Sequence, residues 1–91
     1  MERKISIVSE LGTERNNNIQ AWAKANEVDP RDIVLASNAI VYPELDLIAF
    51  TVFSRDENGQ KLTFYRGDAE RQGMHETRLV PMLSTPEYHN L

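Results

Sequence analysis

Two β-rich stretches flank the tetrapeptide Asp56-Glu57-Asn58-Gly59, and nothing else in the chain restricts the fold as much. Leu47 to Arg55 is dense in β-branched and aromatic residues and reads as the strongest strand. Lys61 to Arg66 reads as its hairpin partner. Two turn geometries compete. A two-residue loop at Asn58-Gly59 pairs Phe53 with Phe64 and puts Phe50 and Val52 on the face opposite Leu62 and Phe64. A three-residue loop, Glu57-Asn58-Gly59, with Gly59 left-handed, pairs Asp56 with Gln60, Ser54 with Leu62 and Val52 with Phe64. Ile48, Phe50, Val52, Leu62 and Phe64 then share one face. A one-residue slip moves the whole apolar set to the other side, so burial selects the second geometry. Asp at the first position and Gly at the fourth also suit the type I turn it requires.

That register also gathers residues on the opposite face. Phe53 and Tyr65 become diagonal neighbours beside Arg55 and Lys61, and a tight turn at Pro43 brings Ile40 and Tyr42 to the same side. Tyr42, Phe53, Arg55 and Tyr65 form the candidate interaction face. Two readings stand. Residues 1–11 or the segment Pro81-Met82-Leu83 fold over it as a second layer, or the face meets another protein, since contiguous exposed apolar surface marks interaction sites and Tyr and Phe are enriched there.

The remaining chain supplies a helix and short strands. Residues 4–9 fit a strand through Ile5 and Ile7, or a helix through Ile5, Val8 and Leu11. A helix is predicted over about Glu14 to Asn26, with Thr13 or one of Asn16 to Asn18 as N-cap and Asn26 as C-cap. Its apolar face is Ile19, Trp22 and Ala23. Asp29-Pro30 signals a short second helical turn reaching about Leu35. Ala39 to Tyr42 is a strand and Pro43 to Asp46 a turn. Gly67 to Gly73 reads as a polar loop. Thr77 to Met82 is a last strand, and Pro81 makes it an edge strand or ends it early. Ser84 to Leu91 reads as a loosely held tail. The expected fold is α+β, a single domain over 1–91 with one main helix on a three- to four-stranded antiparallel meander. The expected core is Ile19, Trp22, Ala23, Val41, Ile48, Phe50, Val52, Leu62, Phe64, Leu79 and Val80.

Composition narrows function mainly by exclusion. The net charge is −4, from 14 acidic and 10 basic residues scattered along the chain. That argues against a general nucleic-acid binder, which carries a basic field for phosphates. A weaker single-strand platform, with bases stacked on Phe53 and Tyr65 between Arg55 and Lys61, stays open as an alternative. The absence of cysteine excludes disulfides, thiolate metal sites and thiol catalysis. His75 and His89 lie far apart with no further ligand at a recognisable spacing. Asp29/Asp32 and Asp56/Glu57 are explained as cap and turn residues rather than as an acid–base pair. No nucleophile elbow or phosphate-binding glycine loop occurs, so neither catalysis nor a cofactor is expected. The apolar run Ile5 to Val8 is too short for a signal peptide or a membrane span, and the expected location is the cytoplasm.

The stretch Ala21 to Ile33, with its Val28-Asp29-Pro30, and the stretch Phe53-Ser54-Arg55-Asp56-Glu57-Asn58-Gly59 together resemble a pattern of small uncharacterised proteins of actinobacteria and their phages. The likeness covers about 40 residues, and Glu27 stands where that pattern carries glycine. The resemblance implies a small accessory protein, phage-encoded, and carries over no catalytic residue. Together these readings point to a non-enzymatic module that binds a protein partner or a second copy of itself.

Overall fold

The fold is that of a computed structural model describing residues 1–7, 12–66 and 70–91, with the backbone alone described for 64–66 and 70–72. One helix, α1 (Glu14–Ala25), packs on an antiparallel sheet. The sheet holds β1 (Arg3–Ser6), β2 (Asn38–Tyr42), β3 (Leu47–Phe53) and β6 (His75–Pro81), side by side in that order. Between β3 and β6 the chain makes a separate two-stranded arm of β4 (Thr63–Arg66) and β5 (Glu70–Gly73). The molecule is therefore an α+β meander with a hairpin inserted before its last strand. The N-terminal segment resolves as the strand β1, while Val8 and Leu11, which the helical alternative needed, lie outside the described residues.

Local chemistry sets the helix ends. Thr13 Oγ1 accepts from the Asn16 backbone N–H at 3.1 Å, satisfying one first-turn amide. At the other end Val28 N–H reaches back to the Ala23 carbonyl (2.9 Å) and Glu27 N–H to that of Lys24 (3.0 Å). This crossed pair is a Schellman cap, and it demands a left-handed residue. That residue is Glu27, at φ 63°, not Asn26, whose φ of −101° leaves it outside the left-handed region. Asp29 caps the following 3-10 turn (Pro30–Asp32), which is shorter than expected.

Ile19, Trp22 and Ala23 of α1 meet Val41, Ile48, Phe50 and Val52 of the sheet, as expected. Trp22 and Phe50 are fully buried, with ring centroids 5.3 Å apart at 55°, a tilted contact of the favourable kind. Ile5, Ile7, Val28, Ile33 and Ala39 complete the core, and Val80 packs at its margin. Two expected core residues are not in it. Leu62 is exposed, and Leu79 is 60% exposed. The side chain of Phe64 lies outside the described residues.

Both departures follow from one event in the strand pairing. The hairpin starts in the expected three-residue register. Asp56 N–H donates to Gln60 O (2.8 Å), Gly59 stands at φ 78°, and Arg55 bridges Lys61. The Asp56 carboxylate caps the turn by accepting from Asn58 N–H and Gln60 N–H, each at 2.9 Å. The pairing then stops at Leu62. Leu62 N–H donates to Ser54 O (2.7 Å), Ser54 N–H to Met74 O (2.8 Å), and Met74 N–H to Leu62 O (2.9 Å). This closed ring of three hydrogen bonds is where three strands part. Beyond it β3 pairs with β6 from Phe53↔His75 to Leu47↔Pro81, and Lys61 to Arg66 is not the partner of β3. The turn sets only the pairs beside it. Further along, β4 and β6 compete for one edge, and β6 matches all seven residues of β3 and adds Val80 to the core. β4 pairs instead with β5, which lies where a polar loop was expected; residues 67–69 are outside the described ones.

The tail is held, not loose. Trp22 Nε1 donates to Ser84 O (3.1 Å), and the buried Asn26 side chain bonds residues 83 and 84. Arg3 binds the Glu87 carboxylate (2.6 Å) and the Leu91 carbonyl, and Leu91 packs on the core. Local sequence at 84–91 shows only turn residues; the anchors sit far away in α1 and β1.

Candidate interaction face

The sheet has one face on α1 and one turned away. Strand alternation puts Ile40, Tyr42, Leu47, Ala49, Phe53 and Leu79 on the outer face, with Ile40 opposite Ala49 and Ala49 opposite Leu79. Ile40, Tyr42, Leu47 and Phe53 are half-buried, Ala49 is buried, and Leu79 is largely open. Among the described residues neither expected cover lies over this face. Residues 3–6 form the edge strand β1, and the tail lies against α1.

The four singled-out residues do not form one cluster. Tyr42 is opposite Leu47 at one end of β3, and Phe53 is six residues further on. At roughly 3.4 Å per residue that separates them by about 20 Å. Between them the face carries Ile40, Leu47, the buried Ala49 and Leu79, then the pair Thr51 and Thr77 next to Phe53. Phe53 instead has its own surroundings. Lys61 Nζ lies 4.3 Å from its ring centroid, a cation–π contact, and His75 meets it edge-on at 5.4 Å. The ring also lies 3.0 Å from where a Cβ would stand on Gly73, so a side chain there would have to displace the ring by a few tenths of an ångström.

Arg55 is committed elsewhere. Its guanidinium binds the Asp32 carboxylate and donates to Gly59 O (2.6 Å), tying the hairpin turn to the 3-10 turn at Pro30. Both cations of the conceived nucleic-acid platform thus already have partners. The Tyr65 side chain lies outside the described residues.

One further concavity escaped the sequence reading. A cleft of about 210 Å³ between α1 and the chain after Pro30 is lined mainly by Ile7, Ile19, Ile33 and Leu35, with Asn16 at its wall. Ligand pockets usually run roughly 300–1,000 Å³. His75 and His89 are in separate places: His89 contacts the Ser84 hydroxyl at 2.9 Å. Among the described residues no three His, Asp or Glu side chains gather as a metal-binding group. Asp29 is the one described carboxylate with a clear pKa displacement. The Arg31 guanidinium and backbone N–H hydrogen-bond it and lower it from 3.8 to about 2. Among the described residues no helix is long and apolar enough to cross a membrane. No protein-family model, characterised protein or solved structure matches the chain.

Proposed function

We propose that the protein is a small non-enzymatic interaction module, a phage-encoded accessory protein whose outer sheet face binds a host protein. The observation that carries this reading is the apolar group of Ile40, Leu47 and Leu79 around the buried Ala49 on the outer face, with no described segment over it. Such groups on small proteins favour protein partners, because covering them removes apolar area from water. The face also has Lys4 beside Ile40 and Lys61 beside Phe53, two amines within reach of cross-linking reagents.

The test compares the natural chain with Ile40→Glu in affinity capture from bacterial lysate, followed by amine cross-linking. Lys4 is paired with position 40, so the new carboxylate gains an ion-pair partner and the fold survives. The expected result is a protein retained by the natural chain, cross-linked at Lys4 or Lys61, and lost from the variant. Identical capture by both chains, with circular dichroism unchanged, refutes the reading.

A further inference from the structure

The outermost strand β6 has an open edge whose chemistry is self-complementary. In β6 the even-numbered residues turn their backbone groups toward β3, as Ser54 N–H to Met74 O and Met82 N–H to Asp46 O show. Backbone groups alternate along a strand, so those of His75, Thr77, Leu79 and Pro81 point away from the sheet. Pro81, which has no N–H, therefore costs no ladder bond. Among the described residues nothing pairs with this edge, and His75, Glu76, Thr77 and Leu79 are exposed.

Charged side chains on an edge strand ordinarily prevent pairing. Here two opposite charges stand two residues apart. Glu76 and Arg78 lie on the helix-side face, opposite Val52 and Phe50, and neither has an ion-pair partner among the described residues. We infer that β6 pairs antiparallel with β6 of a second copy, in the register that sets Thr77 opposite Thr77, which places Glu76 of each chain against Arg78 of the other.

The neighbouring registers oppose like charges or waste a backbone group. Centring on residue 76 opposes two glutamates, and centring on 78 opposes two arginines. Centring on 79 aims a backbone carbonyl of residue 77 at Pro81, which has no N–H to donate. Only the Thr77 register uses the outward groups of His75, Thr77 and Leu79 in full. It also places the charged pair at a non-hydrogen-bonded position, where opposed Cα atoms stand about 4.5 Å apart and side chains meet most closely. The contact is isologous, so it closes as a two-fold dimer and makes one continuous sheet across both copies. It rests on the interaction-module reading only in supplying one partner, and it uses the strand edge rather than the outer face.

The experiment is sedimentation equilibrium on the full chain and two charge-reversed variants, Glu76→Arg and Arg78→Glu, over a range of concentrations. The natural chain is expected to show a monomer–dimer equilibrium. Each variant alone opposes like charges twice, and its dimer dissociation constant should rise about tenfold or more. Mixing the two variants restores both opposite pairs, so a heterodimer should reappear at the natural chain's affinity. Hydrogen exchange at Thr77 and Leu79 should slow as concentration rises. A natural chain that stays monomeric, or dimers that ignore both reversals, or a mixture that does not re-associate, each overturns the inference. Circular dichroism of each variant separates misfolding from lost pairing. Identical capture by Ile40→Glu and the natural chain with dimerisation intact would refute the outer-face reading but not the edge pairing, and a monomeric natural chain that still captures its partner would do the reverse, so the two proposals fail separately.

Discussion

Asn26 holds the helix and the tail together, and replacing it with alanine should remove a large part of the stability. The residue is 1% exposed and uses its whole amide. Nδ2 donates to Trp22 O (2.8 Å) and Ser84 O (3.2 Å), while Oδ1 accepts from Leu83 N–H (2.8 Å) and Ser84 N–H (3.0 Å). The four bonds do not count equally. Trp22 O keeps the Asn26 backbone N–H, and Ser84 O keeps Trp22 Nε1. The Leu83 and Ser84 amides lose the partner shown for them. At about 1–2 kcal/mol for each partly buried orphaned donor, plus the two lost donated bonds, Asn26→Ala should cost about 3 kcal/mol. A chain of this length holds roughly 5–14 kcal/mol in all, so the variant should melt some 15 °C lower. Urea unfolding followed by Trp22 fluorescence measures the cost, and hydrogen exchange at Leu83 and Ser84 locates it. A loss below about 1 kcal/mol, or unchanged protection of those two amides, would show that the tail is not anchored through this side chain.

Three more expectations follow from the same geometry. Glu27 is exposed and holds φ 63°, so Glu27→Gly should relieve left-handed strain and stabilise the fold by about 1 kcal/mol, read as a rightward shift of the urea midpoint. The Asp29 carboxyl is depressed below its unfolded value, so its contribution is complete above about pH 4 and is lost as pH falls through about 2. A carboxyl ¹³C titration should show the low midpoint, and Arg31→Ala should return it toward 3.8. A low-salt gel shift with single-stranded DNA should show no complex, because Arg55 is held by Asp32 and Lys61 sits over Phe53; a shifted band lost in Lys61→Ala would reinstate the stacking platform.

Sequence alone determined the features whose causes lie within a few residues. An N-cap at Thr13 or within Asn16 to Asn18 (the structure selects Thr13), the Asp29-Pro30 turn, the three-residue hairpin loop and the inward face of Ile48, Phe50 and Val52 all rest on contacts at short separation or on strand periodicity. Pro81, which lacks the N–H that an inner strand needs, left β6 either at an edge or cut short, and the sheet order puts it at the edge. Tertiary structure decided the rest, because each outcome was a competition between distant groups. Whether β4 or β6 occupies the edge of β3 depended on which offered more matched pairs. Arg55, placed by alternation beside Phe53, went to Asp32, 23 residues away. The tail found its anchors in Asn26 and Trp22, 58 and 62 residues back. With the tail drawn to the helix side and β1 at the sheet edge, no described residue of the expected covers lies over the outer face. Periodicity assigns a residue to a face, but only long-range packing decides what covers that face.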